Sequence, residues 1–146
     1  MTGKREPRSP SGSPTDRTPK GQSASSIKEN PVWRFKHFDT DPQSPWSWTK
    51  LNSNGQELIK ILEKLREFES MPWKDILGDK NHRLRQAAIS NRAQQRLNQL
   101  GLSDEADNIC SLRIDSKKRV VGILRGSIFY LLWWDPNHEV CPSRLR

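Results

Sequence analysis

The sequence predicts an α+β domain, with N-terminal helices packed on an antiparallel meander sheet and a disordered tail ahead of both. Three observations predict it. Apolar residues recur at helical spacing from Leu58 to Phe68 and from Ala93 to Leu100. Three strand-like runs follow, "NICSLRID", "RVVGIL" and "IFYLLWW", separated by short polar turns. Residues 1–30 contain one large apolar side chain past Met1, Ile27, among many Ser, Pro, Lys, Arg and Gly. Such a segment buries too little surface to offset its ordering entropy. The 146 residues therefore divide into a tail, 1–30, and one folded domain, 31–146.

The domain opens with "PVWRFKHFDTDPQSPWSWTKL". Period-two spacing predicts that Trp33 and Phe35 share a strand face, as Trp46 and Trp48 do, on either side of a turn. These aromatics either cover an open face of the core or form an aromatic–basic platform for unpaired bases. In the second case Arg34 and Lys36 would face phosphates.

Ser53 and Gln56 fit a capping box ahead of the first helix. That helix carries Leu58, Ile59, Ile61, Leu62, Leu65 and Phe68 and ends by Met71, before Pro72. "PWKDIL" predicts a short helix, and "DKNHRLRQ" a polar loop. Ser90 caps the next helix. Ala93, Leu97 and Leu100 form its apolar stripe, Arg92 and Arg96 an exposed basic strip, and Gly101 its left-handed end.

The last third reads as a meander. Gly122 predicts a bulge or a close approach, and Gly126 a turn with positive φ. "IFYLLWW" is apolar on both faces, as an interior strand would be. The run stops because Asp135 favours an Asx turn and Pro136 lacks a ladder donor. "HEVCP" would resume as a short edge strand. Helices that all precede the meander are expected to share one face of it.

The formal net charge is +8. The tail holds six basic against three acidic side chains, so +3, which leaves +5 on the domain. That balance fits either polyanion contact or a solvated basic surface. The two cysteines, Cys110 and Cys141, and the scattered His37, His82 and His138 lack metal-ligand spacing. No metal or cofactor is expected. The longest apolar run, seven residues, is too short for a membrane span, and the N-terminus lacks a secretory pattern. A cytoplasmic protein with free thiols is the expectation.

The candidate chemistry lies around the end of "IFYLLWWDPNHEV". His138 could move a proton near neutral pH, with Asp135 fixing its tautomer. Arg113 and Arg119 could hold a phosphate and steady charge developing on it. Arg125, Lys117, Lys118, Trp33 and Arg34 are candidate nucleic-acid contacts. On one sheet face these residue types suit RNA strand scission. The alternative is a turn-capping Asp135, a surface His138 and solvated arginines. Tyr130, the sole tyrosine, reads either as a buried strand residue or as a base, and His82 as a surface histidine.

"RIDSKKRVVGILRGSIFYLLWWDPNHEVCPS" resembles the C-terminal signature of a small bacterial and phage-borne family. Its strand ends in Leu-Trp-Trp-Asp-Pro, followed by His and Val. "WSWTKL" and "AQQRLNQLGL" fit its upstream pattern. That likeness spans roughly residues 31–143 and brings no activity with it. The segments "SLRI", "KRVVGI", "IFYLLWW" and "HEVCPS" also resemble the strands of RelE/ParE-type toxins. This second resemblance implies an endoribonuclease acting on RNA or the ribosome, with Arg113 and Arg119 at the strand-arginine positions and His138 near the C-terminal catalytic one. An antitoxin-like partner would accompany it. Cys141 stands where those toxins usually carry a basic residue and a tyrosine. The alternative function is a non-catalytic accessory protein that binds nucleic acid or protein.

Overall fold

A computed structural model describes residues 26–51, 55–84 and 86–142. The chain forms strand β1 (Val32–Arg34), helices α1 (Gln56–Glu69) and α2 (Trp73–Ile76), strand β2 (His82–Arg83), helix α3 (Asn91–Gln99), and strands β3 (Ile109–Asp115), β4 (Lys118–Arg125) and β5 (Ile128–Asp135). The five strands make one sheet in the order β1-β5-β4-β3-β2. All neighbours are antiparallel except β1, which runs parallel to β5. The architecture is a mixed α+β fold, with the meander at its centre.

The sheet is covered on both faces, which corrects the expectation that the helices share one. Alternation along β3 and β4 sends Leu112, Val120 and Leu124 to one side, where they pack with Ile61, Leu65 and Phe68 of α1 and Trp73 and Ile76 of α2. Ile109, Val121 and Ile123 point the other way, onto Ala93 and Leu97 of α3. Each such large apolar side chain contributes about 1.5–3 kcal/mol when fully buried. Two-sided coverage explains why "IFYLLWW" lacks a polar face.

The predicted close approach at Gly122 is present. Val121 pairs with Trp133 but Gly122 with Leu131, so Leu132 is the extra residue of a bulge in β5. The bulge interrupts the alternation, and Leu132 and Trp133 both join the cluster under α3. A Cβ at position 122 would overlap the Phe129 ring and the Tyr130 carbonyl oxygen.

The aromatic segment continues the sheet edge past β1. The Asp39 N–H donates to the Leu132 carbonyl (3.0 Å), and the Trp134 N–H donates to the Trp46 carbonyl (3.0 Å). Trp48 Nε1 also donates to the Leu132 carbonyl, at 3.2 Å. Trp46 and Trp48 do not share a face as predicted: Trp46 joins the α3 cluster and Trp48 the α1 cluster. A short 3-10 turn, Trp48–Lys50, replaces the expected extended piece and places them so.

Other local expectations meet mixed outcomes. Ser90 caps α3 through the Ala93 N–H (3.2 Å), and Gly101 and Gly126 have φ of 72° and 63°. The N-cap of α1 is Gly55, and the predicted cap at Ser53 lies outside the described residues. Described structure begins before residue 31: Ser26–Lys28 forms a 3-10 turn, Ile27 packs on the core, and the Glu29 carbonyl accepts the Trp73 N–H. "HEVCP" is irregular chain that bends at Val140 and Cys141, not a strand. The predicted polar loop holds β2 and the buried Leu84. Arg96, expected on an exposed strip, is buried, and Arg92 lies over the Trp46 ring at 5.5 Å. On α1 the apolar stripe is only half used, because Leu58, Ile59 and Leu62 stay exposed.

Candidate functional site

Strand register assembles part of the predicted site. Arg113 pairs with Arg119 across β3 and β4, and Arg119 pairs with Asp135 across β4 and β5. Directly paired residues share a face, so the three form one row, on the α3 side at the Asp135 end of β5. The next row toward α3 is His82, Ser111, Val121 and Trp133.

Each member of the row has its own surroundings. Asp135 is buried, and its two carboxylate oxygens accept the Glu139 and Val140 N–H groups, both at 2.9 Å. Burial raises its pKa above the ordinary carboxylate value, although those two amides and the Arg119 charge pull it back. Asp135 is thus the anchor of a turn, as its Asx character predicts. His138 sits in that turn with φ of 60°, half-buried. The chain then folds back over the α3 face, where Val140 and Cys141 are buried against the cluster around Trp133. The Val140 carbonyl accepts the Ser90 N–H at 2.8 Å.

Arg119 is also largely buried. Its Nη1 donates to the Ser116 carbonyl (2.6 Å) and the Lys118 carbonyl (3.2 Å), which ties the hairpin turn together. Ser116 takes φ of 46° in that turn. Arg113 is more open. Its backbone N–H donates to Asn81 Oδ1 (2.8 Å), which fixes the strand at that point and leaves the guanidinium half-exposed at the sheet end. Lys117 is exposed at the tip of the same hairpin.

The remaining candidates lie elsewhere. Lys118 belongs to the opposite face and pairs with Glu57 of α1, which holds its ammonium charged to higher pH than usual. Arg125 is on the α3 face at the far end of β4, where both oxygens of Glu105 accept from its Nη1 at 2.9 Å. Trp33 is no exposed platform: its ring meets Trp73 and Phe129 edge-on at 6.1 and 5.5 Å. Arg34 is exposed on β1. Tyr130 is half-buried, with the His37 ring 5.3 Å away.

The sequence misses one feature and leaves another open between two readings. One is Asp39, buried and bound by Arg96 and Trp133. Only its short-range setting, "DTDP", is visible in sequence. The other is Phe35, the most exposed of the large apolar residues among those described, between the exposed Arg34 and Lys36. Its signal was the absence of any acid from Asn30 to Phe38.

Among the described residues no group of His, Cys, Asp or Glu could hold a metal ion. Cys110 and Cys141 are buried with no disulfide between them, and burial pushes the Cys110 thiol up to about 12. No helix among these residues is long and apolar enough to cross a membrane. A shallow groove between α1 and the end of β3 is lined by charges of both signs, including Lys60, Glu63, Lys64 and Asp115, and by none of the candidate catalytic residues.

Fold and site together define a class, a small α+β domain whose two-sided sheet ends in a row of arginines beside a histidine turn. Comparison with family models, curated protein sequences and solved structures returns no significant match.

Proposed function

We propose that this is a cytoplasmic RNA-directed protein of RelE-like type. Its contact surface would be the Arg113 end of the sheet. The observation that carries the reading is the register itself. Arg113 and Arg119 stand side by side on one face, and the turn that bears His138 is anchored by the third member of the same row, Asp135. Arg113 and Lys117 are the accessible cations and would hold phosphate. Arg119 supplies positive potential from within and keeps the hairpin shaped, as a positioning residue.

His138 is the group able to move a proton there. In strand scission it would take the proton of a ribose 2′-hydroxyl as that oxygen bonds to the adjacent phosphorus. The bond from phosphorus to the 5′-oxygen then breaks, and a proton from water completes the leaving hydroxyl. The products are a 2′,3′-cyclic phosphate and a 5′-hydroxyl end. Arg113 would steady the five-coordinate phosphorane. No metal or cofactor enters this chemistry.

The test is incubation of the purified full chain with messenger RNA, alone and on ribosomes, with end-group analysis of the products. Cyclic phosphate ends from the wild type, and their loss in Arg113→Ala and His138→Asn, support scission. Salt-dependent binding with intact RNA in both settings reduces the reading to a binding module, the alternative favoured by the full engagement of Asp135 with backbone. RNA neither bound nor cut removes both. Expression in bacteria adds a growth readout, and an antitoxin-like partner would restore growth.

A further inference from the structure

The opposite end of β5 carries a second surface. β1 is a terminal strand of the sheet. Along it and just beyond, Val32 and Phe35 are 43% and 57% exposed, and Arg34 and Lys36 are exposed on either side of Phe35. Arg34 pairs in register with Tyr130, whose ring lies 5.3 Å from that of His37. Phe35 is held but not covered. Its ring meets Phe38 edge-on at 5.6 Å, and Phe38 stacks on Trp48 at 4.8 Å, which ties the exposed ring to the core. The Phe38 N–H donates to the Phe35 carbonyl (3.1 Å), which closes the turn beneath it.

The charges are one-sided. No Asp or Glu occurs between Asn30 and Phe38. The nearest downstream carboxylate, Asp39, is buried and spent on Arg96 and Trp133. Glu105, which faces His37 electrostatically, is taken by Arg125 and Asn108. A planar ring anchored to the core and flanked by two uncompensated cations fits a polyanion with flat, unpaired bases better than an acidic peptide. The acidic side chains that would meet Arg34 and Lys36 offer no ring for the Phe35 face, and duplexes keep their bases stacked on one another.

We propose that this edge, Arg34 to His37, is a docking strip for single-stranded nucleic acid. Phe35 stacks on one base, and Arg34 and Lys36 neutralise flanking phosphates. His37 and Tyr130 lie beside Arg34, toward the α3 side of the edge. The strip shares only its polymer with the strand-end reading and needs no cleavage.

Fluorescence anisotropy with a labelled oligouridylate, and with an RNA hairpin of matched length, tests it on the full chain. Phe35→Ala is expected to weaken oligouridylate binding roughly 5- to 150-fold, the effect of one lost stacking partner, while Phe35→Trp keeps it. Arg34→Ala with Lys36→Ala should lower the slope of log affinity against log salt by about 1.4, two single-strand phosphate contacts. Lys60→Ala, in the groove between α1 and β3, should leave all of this unchanged, and an RNA left uncut leaves the strip standing. Unaltered binding by Phe35→Ala, tighter binding of the hairpin, displacement by polyglutamate as effective as by RNA, or no binding by the wild type would each overturn it. Phe35 is exposed, and an unchanged melting temperature of Phe35→Ala separates lost binding from lost folding.

Discussion

Arg96 on α3 grips Asp39 with two hydrogen bonds of 3.0 Å, one to each carboxylate oxygen, and Trp133 Nε1 adds a third at 2.9 Å. The pair spans three elements: the aromatic segment, the third helix and the last strand. Burial alone would raise the Asp39 pKa. The bonds from Arg96, Ser44, Trp133 and the Asp41 N–H outweigh it and hold the carboxyl below its ordinary value.

Breaking that pair should be costly. Asp39→Asn leaves a largely buried guanidinium with only the more exposed Asp41, 3.4 Å away, as counter-charge, and a loss of about 3 kcal/mol is expected. The pH dependence follows in sign. A carboxyl whose folded pKa is depressed contributes stability above the ordinary carboxylate range and loses it as pH falls through the folded value. Urea titrations from about pH 5 downward should therefore show a steep loss in the wild type and a shallower one in Asp39→Asn. Equal slopes would assign the acid transition to other groups. Asp135, with its raised pKa, contributes with the opposite sign, in a window above the ordinary carboxylate value, where that of Asp39 lies below it.

Gly122→Ala should destabilise the domain by more than the usual 1–3 kcal/mol of an overpacked core, because one of the overlapped atoms is backbone. Thermal melts report the loss. Pairing it with Phe129→Leu should recover only part, since the Tyr130 carbonyl remains in place.

His138 has positive φ, which asparagine tolerates better than alanine. His138→Asn is expected to melt close to the wild type, and His138→Ala to lose about 1 kcal/mol to backbone strain. Both lack the imidazole, so both should lack any RNA scission. An alanine variant as stable as the asparagine one would show that the turn does not enforce that conformation.

Trp33 Nε1 is buried with no hydrogen-bond partner. Trp33→Phe removes an unsatisfied donor while keeping an aromatic against Trp73 and Phe129, so it should change stability by less than about 1 kcal/mol. Trp133→Phe deletes a bond to Asp39 instead and should cost clearly more. Denaturant midpoints of the two variants, measured side by side, decide the matter.

His37 titration offers a local check on the edge strip. Burial, followed by the charge of Lys36, lowers its pKa from the ordinary value. Lys36→Ala should move the NMR midpoint upward. No movement would place the Lys36 ammonium away from the ring.

What the sequence disclosed tracks the range of the forces involved. The meander, α3 with its Ser90 cap and Gly101 end, and the stop at Asp135 rest on neighbours a few residues apart, and all are present. β1 was legible as an extended piece, but its parallel partner was not, because Val32 and Ile128 meet only in three dimensions. β2 is two residues long and too polar to show a period. Arg96 looked solvated because helical spacing put it beside Arg92, and its carboxylate lies in another element. The site was legible by residue type, and register alone divided it. Arg113, Arg119 and Asp135 fell into one row, while Lys118 and Trp33 went to the other face.

The parallel ladder between β1 and β5 also sets an order of events during synthesis. A ribosome releases the outer strand and the tryptophan segment long before the strand against which they dock. Until Trp134 clears the exit tunnel, the donors and acceptors of Asp39 and Trp46 have no ladder to join, and the aromatic rings behind them have no floor. Nascent chains arrested short of that residue should be digested readily by protease, and resistance should arrive in a single late step.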